Sequence, residues 1–87
     1  MTVNELSRFD TVKATVCTRA KNNGYYLKIN GLEETPIVLV YDCTLLYGQE
    51  VIVSIMKMSE NRDYILTRVD SVCESYRVYE NDYLMSA

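Results

Sequence analysis

Histidine is absent from this 87-residue sequence, and with it the commonest general base and the commonest metal ligand. Tryptophan is absent too; phenylalanine occurs once, at Phe9, and proline once, at Pro36. The three glycines, Gly24, Gly31 and Gly48, are scattered, so no phosphate-cradling glycine loop exists. The three cysteines, Cys17, Cys43 and Cys73, stand far apart and form no Cys-x-x-Cys pair, which argues against a zinc site. Together these gaps predict a binding protein, not an enzyme, with no metal and no cofactor. An odd cysteine count, and a start (MTVNELSRFD) without an apolar core, predict no secretory signal and a reducing, cytoplasmic setting. Each cysteine is then expected to be a small buried hydrophobe. The longest apolar stretch, residues 37–41, is too short to cross a bilayer, so no membrane partner is expected.

Eight tyrosines, 48% hydrophobic and 24% charged residues fit one folded domain. A chain this short buries only about 60% of its unfolded surface, so the core is thin and a deep cavity is not expected. The formal net charge is -3. Phosphate neutralisation supplies most of the affinity of nucleic-acid binders, so any such site here has to be a local basic face.

Residues 1–9 read as a lead-in, with Asn4 capping a brief helical turn over 5–8. From residue 11 the pattern is β. Over 11–19, Val12, Ala14 and Val16 fall on one face, and Lys13, Thr15, Cys17 and Arg19 on the other. Lys21-Asn22-Asn23-Gly24 is a turn, because Asn and Gly tolerate positive φ. The second strand is 24–29, with Leu27 and Ile29 on one side and Tyr26 and Lys28 on the other. Asn30-Gly31 starts another turn and 32–36 a longer loop. The third strand, 37–41, is continuously apolar and its faces are unreadable. A connection at 42–48 has room for a short helical turn. Strand four spans 50–58, with Met56 and Met58 on the face of Ile52 as core residues; strand five spans 64–69. Residues 73–87 read as a docking helix, a sixth strand or a tail; on a helix Tyr76, Tyr79 and Tyr83 would share a face.

The expected fold is therefore all-β: a five-stranded OB-like Greek-key barrel over 10–72, after a lead-in at 1–9 and before a short C-terminal helix or tail at 73–87. Three places carry a family resemblance: the Val-rich opening strand at 12–18, the strand Gly24-Tyr25-Tyr26-Leu27-Lys28-Ile29, and Gly48 before Val51-Ile52-Val53. In that order they resemble an S1-type OB domain, the RNA-binding module of ribosomal protein S1 and of many ribonucleases. The likeness covers about residues 10–70. It implies that Tyr26, the exposed aromatic of strand two, stacks on a base. The sequence departs from the family in having no histidine near Leu39 and no Lys or Arg across 42–48.

The candidate site is Lys13, Arg19, Lys21, Tyr26, Lys28, Arg62 and Arg68. Lys13 and Arg19 should meet Tyr26 and Lys28 across paired strands, giving an aromatic ringed by cations. Single-stranded RNA or DNA, RNA favoured, is the matching partner, since a ring stacks on a base while cations track phosphates. The same residues also suit an ordinary solvated sheet face. Glu33 and Glu34 are adjacent in a loop and are expected to diverge, which does not suit acid–base work. The alternative function is a protein–protein interaction module, an adaptor or inhibitor, possibly homodimeric. It would dock through the acidic, Tyr-rich tail or add a partner strand at an open barrel edge. On either reading the chain is a small accessory protein.

Overall fold

The computed structural model describes residues 1–73. Five strands make up almost all of the regular structure: β1 (Thr11–Ala20), β2 (Gly24–Ile29), β3 (Ile37–Val40), β4 (Glu50–Met58) and β5 (Tyr64–Val72). They close into a barrel in the order β1-β2-β3-β5-β4, with β1 returning to β4. The β3–β5 pair is parallel and the others are antiparallel. This is the OB-type Greek-key barrel that the strand pattern predicts. Strand β1 closes it, pairing β4 through its first half and β2 through its second. Every strand has a neighbour on both sides, so the open edge expected for strand addition is closed.

The core is built from alternate residues. Ala14, Val16, Leu27, Ile29, Val51, Val53, Ile55 and Ile65 all point inward and are almost fully buried. The unreadable β3 resolves through its partners: Val38 aligns with core residues Leu27 and Ile65 and points in. Ile37 and Leu39 therefore point out. The buried Thr67 hydroxyl donates to the Leu39 carbonyl at 3.0 Å, clipping β5 to β3 without leaving a polar atom unpaired.

Three register shifts break the alternation, one of them in the β4–β5 ladder between Ile52 and Val53, where Asp70 is the extra residue. In β1 the register shifts between Val16 and Thr18, so Thr18 stands opposite Tyr26 and Arg19 opposite Tyr25. Arg19 thus leaves the face on which strict alternation put it. In β4 the register shifts between Ile55 and Lys57. Met58 turns in against the core while Met56 stays outside, so the two do not share a face with Ile52.

The turns follow local chemistry. Asn22 and Asn23 have φ of 61° and 60°, and the Gly24 N–H donates to the Lys21 carbonyl at 3.2 Å. Two left-handed central residues match the type I′ turn that suits a twisted hairpin. At Asn30-Gly31 the turn closes through the Leu32 N–H to the Ile29 carbonyl at 3.3 Å, but the chain then runs on as a loop. Glu33 and Glu34 there do not diverge as expected, because both face the lead-in: the Glu33 carboxylate lies 4.0 Å from the Met1 nitrogen, and the Glu34 carboxylate accepts from the Val3 N–H at 3.0 Å.

The lead-in belongs to the barrel's packing, because Leu6 is buried in the core cluster. Its helical turn is a 3-10 turn at Val3–Glu5, earlier than expected and begun by Thr2, not Asn4. Thr2 and Glu5 have the spacing of a capping box. Hydrogen bonds from the Thr2 backbone and side chain hold the Glu5 carboxyl below the usual carboxylate range. The 41–49 connection contains no helical turn; its Gly48 N–H donates to the Val16 carbonyl and its Gln49 carbonyl accepts from the Val16 N–H, both at 2.9 Å. Strand β5 runs three residues beyond expectation because Ser71 and Val72 still pair with β4. The cysteines are not fully buried as expected: Cys17 is exposed at the β1 bulge, Cys43 is half-buried and packs against the core, and Cys73 is half-buried. The expectations for Tyr76, Tyr79, Tyr83 and the acidic tail lie outside the described residues.

Candidate nucleic-acid interface

The outer face of β2, β3 and β5 carries a compact aromatic and apolar surface. The ladders align Tyr26 of β2 with Leu39 of β3, and Leu39 with Leu66 of β5. One step along, Ile37 aligns with Tyr64, beside Lys28. One step the other way, Tyr41 lies on Gly24, beside Arg68. Leu39 points away from the core yet is only 5% exposed, so its outer neighbours close over it. Tyr26 and Tyr64 remain exposed at 42% and 43%.

The three tyrosines converge. Desolvation pushes the Tyr41 phenol above its ordinary value, the adjacent Tyr64 hydroxyl raises it further, and Tyr26 adds to this. Position 24 has to be glycine for this to happen: a Cβ there would lie 2.6 Å and 2.7 Å from two Tyr41 ring carbons. The missing side chain is what lets the ring settle on the sheet.

Cations border the surface. Lys28 is exposed two residues along β2 from Tyr26, and Lys57 of β4 is exposed opposite Leu66. Arg68 is exposed and 3.5 Å from the Asp70 carboxylate, which shares its charge. A groove runs between Tyr41, Met56, Leu66 and Arg68, with Asp42 and Cys43 at its rim. Desolvation and the neighbouring Asp42 push the Cys43 thiol up, which keeps it protonated and a poor nucleophile.

Of the residues the sequence singled out, Tyr26, Lys28 and Arg68 come together on this face. Lys21 sits at its end, in the β1–β2 turn. Lys13 also points outward but lies on the β1–β4 side, opposite Ile52. The β1 bulge carries Arg19 to the Tyr25 side, where its guanidinium stands 5.8 Å from the ring centroid of the buried Tyr25. Arg62 turns away altogether: its Nη1 donates to the Val3 carbonyl at 3.1 Å and to the Leu6 carbonyl. That pairing makes it a clamp for the lead-in segment. Sequence reasoning missed Tyr41, Tyr64 and Lys57. Tyr41 and Tyr64 could have been found only by knowing which face of β3 is buried. Among the described residues, no group of three or more His, Cys, Asp or Glu side chains comes together as a metal site.

No protein-family model and no curated protein matches the chain. Among solved structures, the chain is similar to one in the crystal structure of the a/eIF2alpha–aDim2p–rRNA complex from Pyrococcus horikoshii OT3, with a TM-score of 0.61 and 17% sequence identity. The likeness covers 92% of this chain and 54% of that one, so this chain spans about half its neighbour's length. At that identity the likeness is one of fold. Strand order and structural likeness together define an OB-type barrel.

Proposed function

We propose that this protein is a non-catalytic binder of single-stranded nucleic acid, RNA favoured over DNA, and that the outer face of β2, β3 and β5 is its contact surface. The observation that carries the reading is the convergence of Tyr26, Tyr41 and Tyr64 over Leu39, bordered by Lys28, Lys57 and Arg68. OB barrels bind oligonucleotides on the strand 2–3 face, between the β1–β2 and β4–β5 loops. Those loops are residues 21–23 and 59–63 here. Exposed rings accept bases in any order, and flanking cations follow the phosphates. The preference for RNA draws on the rRNA in the neighbouring complex and on the S1-type resemblance. The overall charge of -3 means that affinity comes from stacking and a few phosphate contacts, with little long-range attraction.

The test is fluorescence anisotropy with labelled single-stranded RNA and DNA at low and moderate salt, comparing wild type with Tyr26→Ala. Stacking is worth about 1–3 kcal/mol per base, so the variant should bind about 5- to 150-fold more weakly. No binding by wild type at low salt would overturn the reading.

A further inference from the structure

The apolar surface does not stop at β5. Leu66 of β5 stands opposite Lys57 of β4, and the β4 bulge leaves Met56 half-buried on the outside. Met56 lines the groove shared with Tyr41, Leu66 and Arg68, and it also lines a second groove with Arg8, Lys57 and Met58. The two grooves therefore lie on either side of one shared side chain. Beyond β4, the residues preceding β1 extend the ladder: the Phe9 N–H donates to the Ile55 carbonyl at 2.6 Å, and the Ile55 N–H to the Asp10 carbonyl at 2.9 Å.

Phe9 is an unusual residue at this place. It is the chain's single phenylalanine, yet it is 63% exposed. Its φ of 75° is a left-handed conformation that a bulky side chain rarely adopts. The Ser7 N–H donating to the Asp10 carboxylate, and the Asp10 N–H donating to the Ser7 carbonyl, hold that turn. The Arg8 guanidinium lies 4.6 Å from the Phe9 ring centroid. The result is an aromatic ring with a cation over it, held out of the core next to Arg8, which lines the second groove.

We propose that Arg8 and Phe9 form a second stacking platform, and that a single strand bound at Tyr26 continues over Leu66 and Met56 to reach it. This inference rests on the nucleic-acid reading above and deepens it, by giving the strand a path across β3, β5 and β4. Along the outer face, by way of β3, β5 and β4, four inter-strand steps of about 4.8 Å lead from β2 to the Phe9 segment, a path of roughly 19 Å. At a stacked spacing of about 3.4 Å that is about six nucleotides. Lys57 and Arg8 supply positive charge along the path. Asp42 stands at its rim, while Asp70 is taken up by Ser54 and Arg68, and Asp10 by Ser7.

The path predicts a length dependence. Labelled oligouridylates of four and ten nucleotides should be titrated against wild type, Tyr26→Ala, Phe9→Ala and Arg8→Gln, with thermal unfolding of each variant checked first. The ten-mer should lose about fivefold or more in affinity with Phe9→Ala, and less with Arg8→Gln. The four-mer, too short to span both platforms, should lose affinity with Tyr26→Ala and little with Phe9→Ala. If Tyr26→Ala weakens the ten-mer while Phe9→Ala and Arg8→Gln leave it unchanged, the second platform is overturned and the first reading stands. If wild type binds neither length, both fall.

Discussion

The Tyr41 ring rests on the backbone of Gly24, closer than any side chain at position 24 would permit. The relation links a turn-forming residue of β2 to the aromatic surface that the chain presents. The Lys21–Gly24 hairpin ends where the tyrosine platform begins. Gly24→Ala should push the Tyr41 ring off the sheet. Overpacking of this kind costs about 1–3 kcal/mol. Chemical denaturation should show that loss, and oligonucleotide titration should show weaker binding from the displaced ring. Unchanged stability and binding would mean that the ring can move aside freely.

Arg62 offers a contrast between a cation that binds and one that holds the fold. Its Nη1 bonds to the Val3 and Leu6 carbonyls and keeps Leu6 in the core. A hydrogen bond from a charged donor contributes about 1.5–3 kcal/mol. Arg62→Ala should lower the unfolding free energy by that order, read by urea denaturation, while leaving the folded protein's affinity for a four-nucleotide strand at Tyr26 unchanged.

Lys28 should behave in the opposite way. It is exposed beside Tyr26 and makes no described hydrogen bond or ion pair that would be lost with it. Lys28→Gln should leave unfolding unchanged and weaken binding of all sequences alike. The slope of log affinity against log salt should fall by about 0.7 for one lost phosphate contact on a single strand. An unaltered slope would remove Lys28 from the contact surface.

Tyr41 should be visible in alkaline titration. Desolvation and the neighbouring Tyr64 raise its value above the ordinary 10.0. The folded state then holds the phenolic proton more tightly than the unfolded state. The associated stability is fully present below pH 10.0 and is lost as pH rises through the elevated value. The difference between the ultraviolet titrations of wild type and Tyr41→Phe should be one phenol ionising above pH 10.0. A difference curve centred at or below that value would contradict the clustering of the three rings.

Much of this barrel is legible from local pattern. The 50–58 strand is found at Glu50–Met58, and the 24–29 strand at Gly24–Ile29. Period-two alternation and β-branched residues mark such segments without reference to partners. Asn22-Asn23 marks its own turn for the same reason, since the preference for positive φ is a property of the residue. The Thr2–Glu5 capping box is equally local, and its Thr-x-x-Glu spacing, not Asn4, marks the start of the turn.

The site was legible only in part. Tyr26 and Lys28 lie on a short, regular strand whose inner residues, Leu27 and Ile29, are plainly apolar. Strict alternation misplaces Arg19, because one extra residue at the β1 bulge reverses the faces of everything after it. Met56 and Met58 separate for the same reason at the β4 bulge. A bulge depends on how two strands align, which no single strand's pattern records.

Most strands and turns can be placed from local pattern, because they follow from each residue's own backbone preference and from the alternation of its neighbours. Which side chains meet is settled only by the closed barrel. The inward face of β3, the gathering of Tyr26, Tyr41 and Tyr64, the withdrawal of Arg62 and the outward Phe9 all depend on register between segments far apart in the chain. Register is set by the mutual packing of the whole barrel, a property that exists only once the chain has closed on itself.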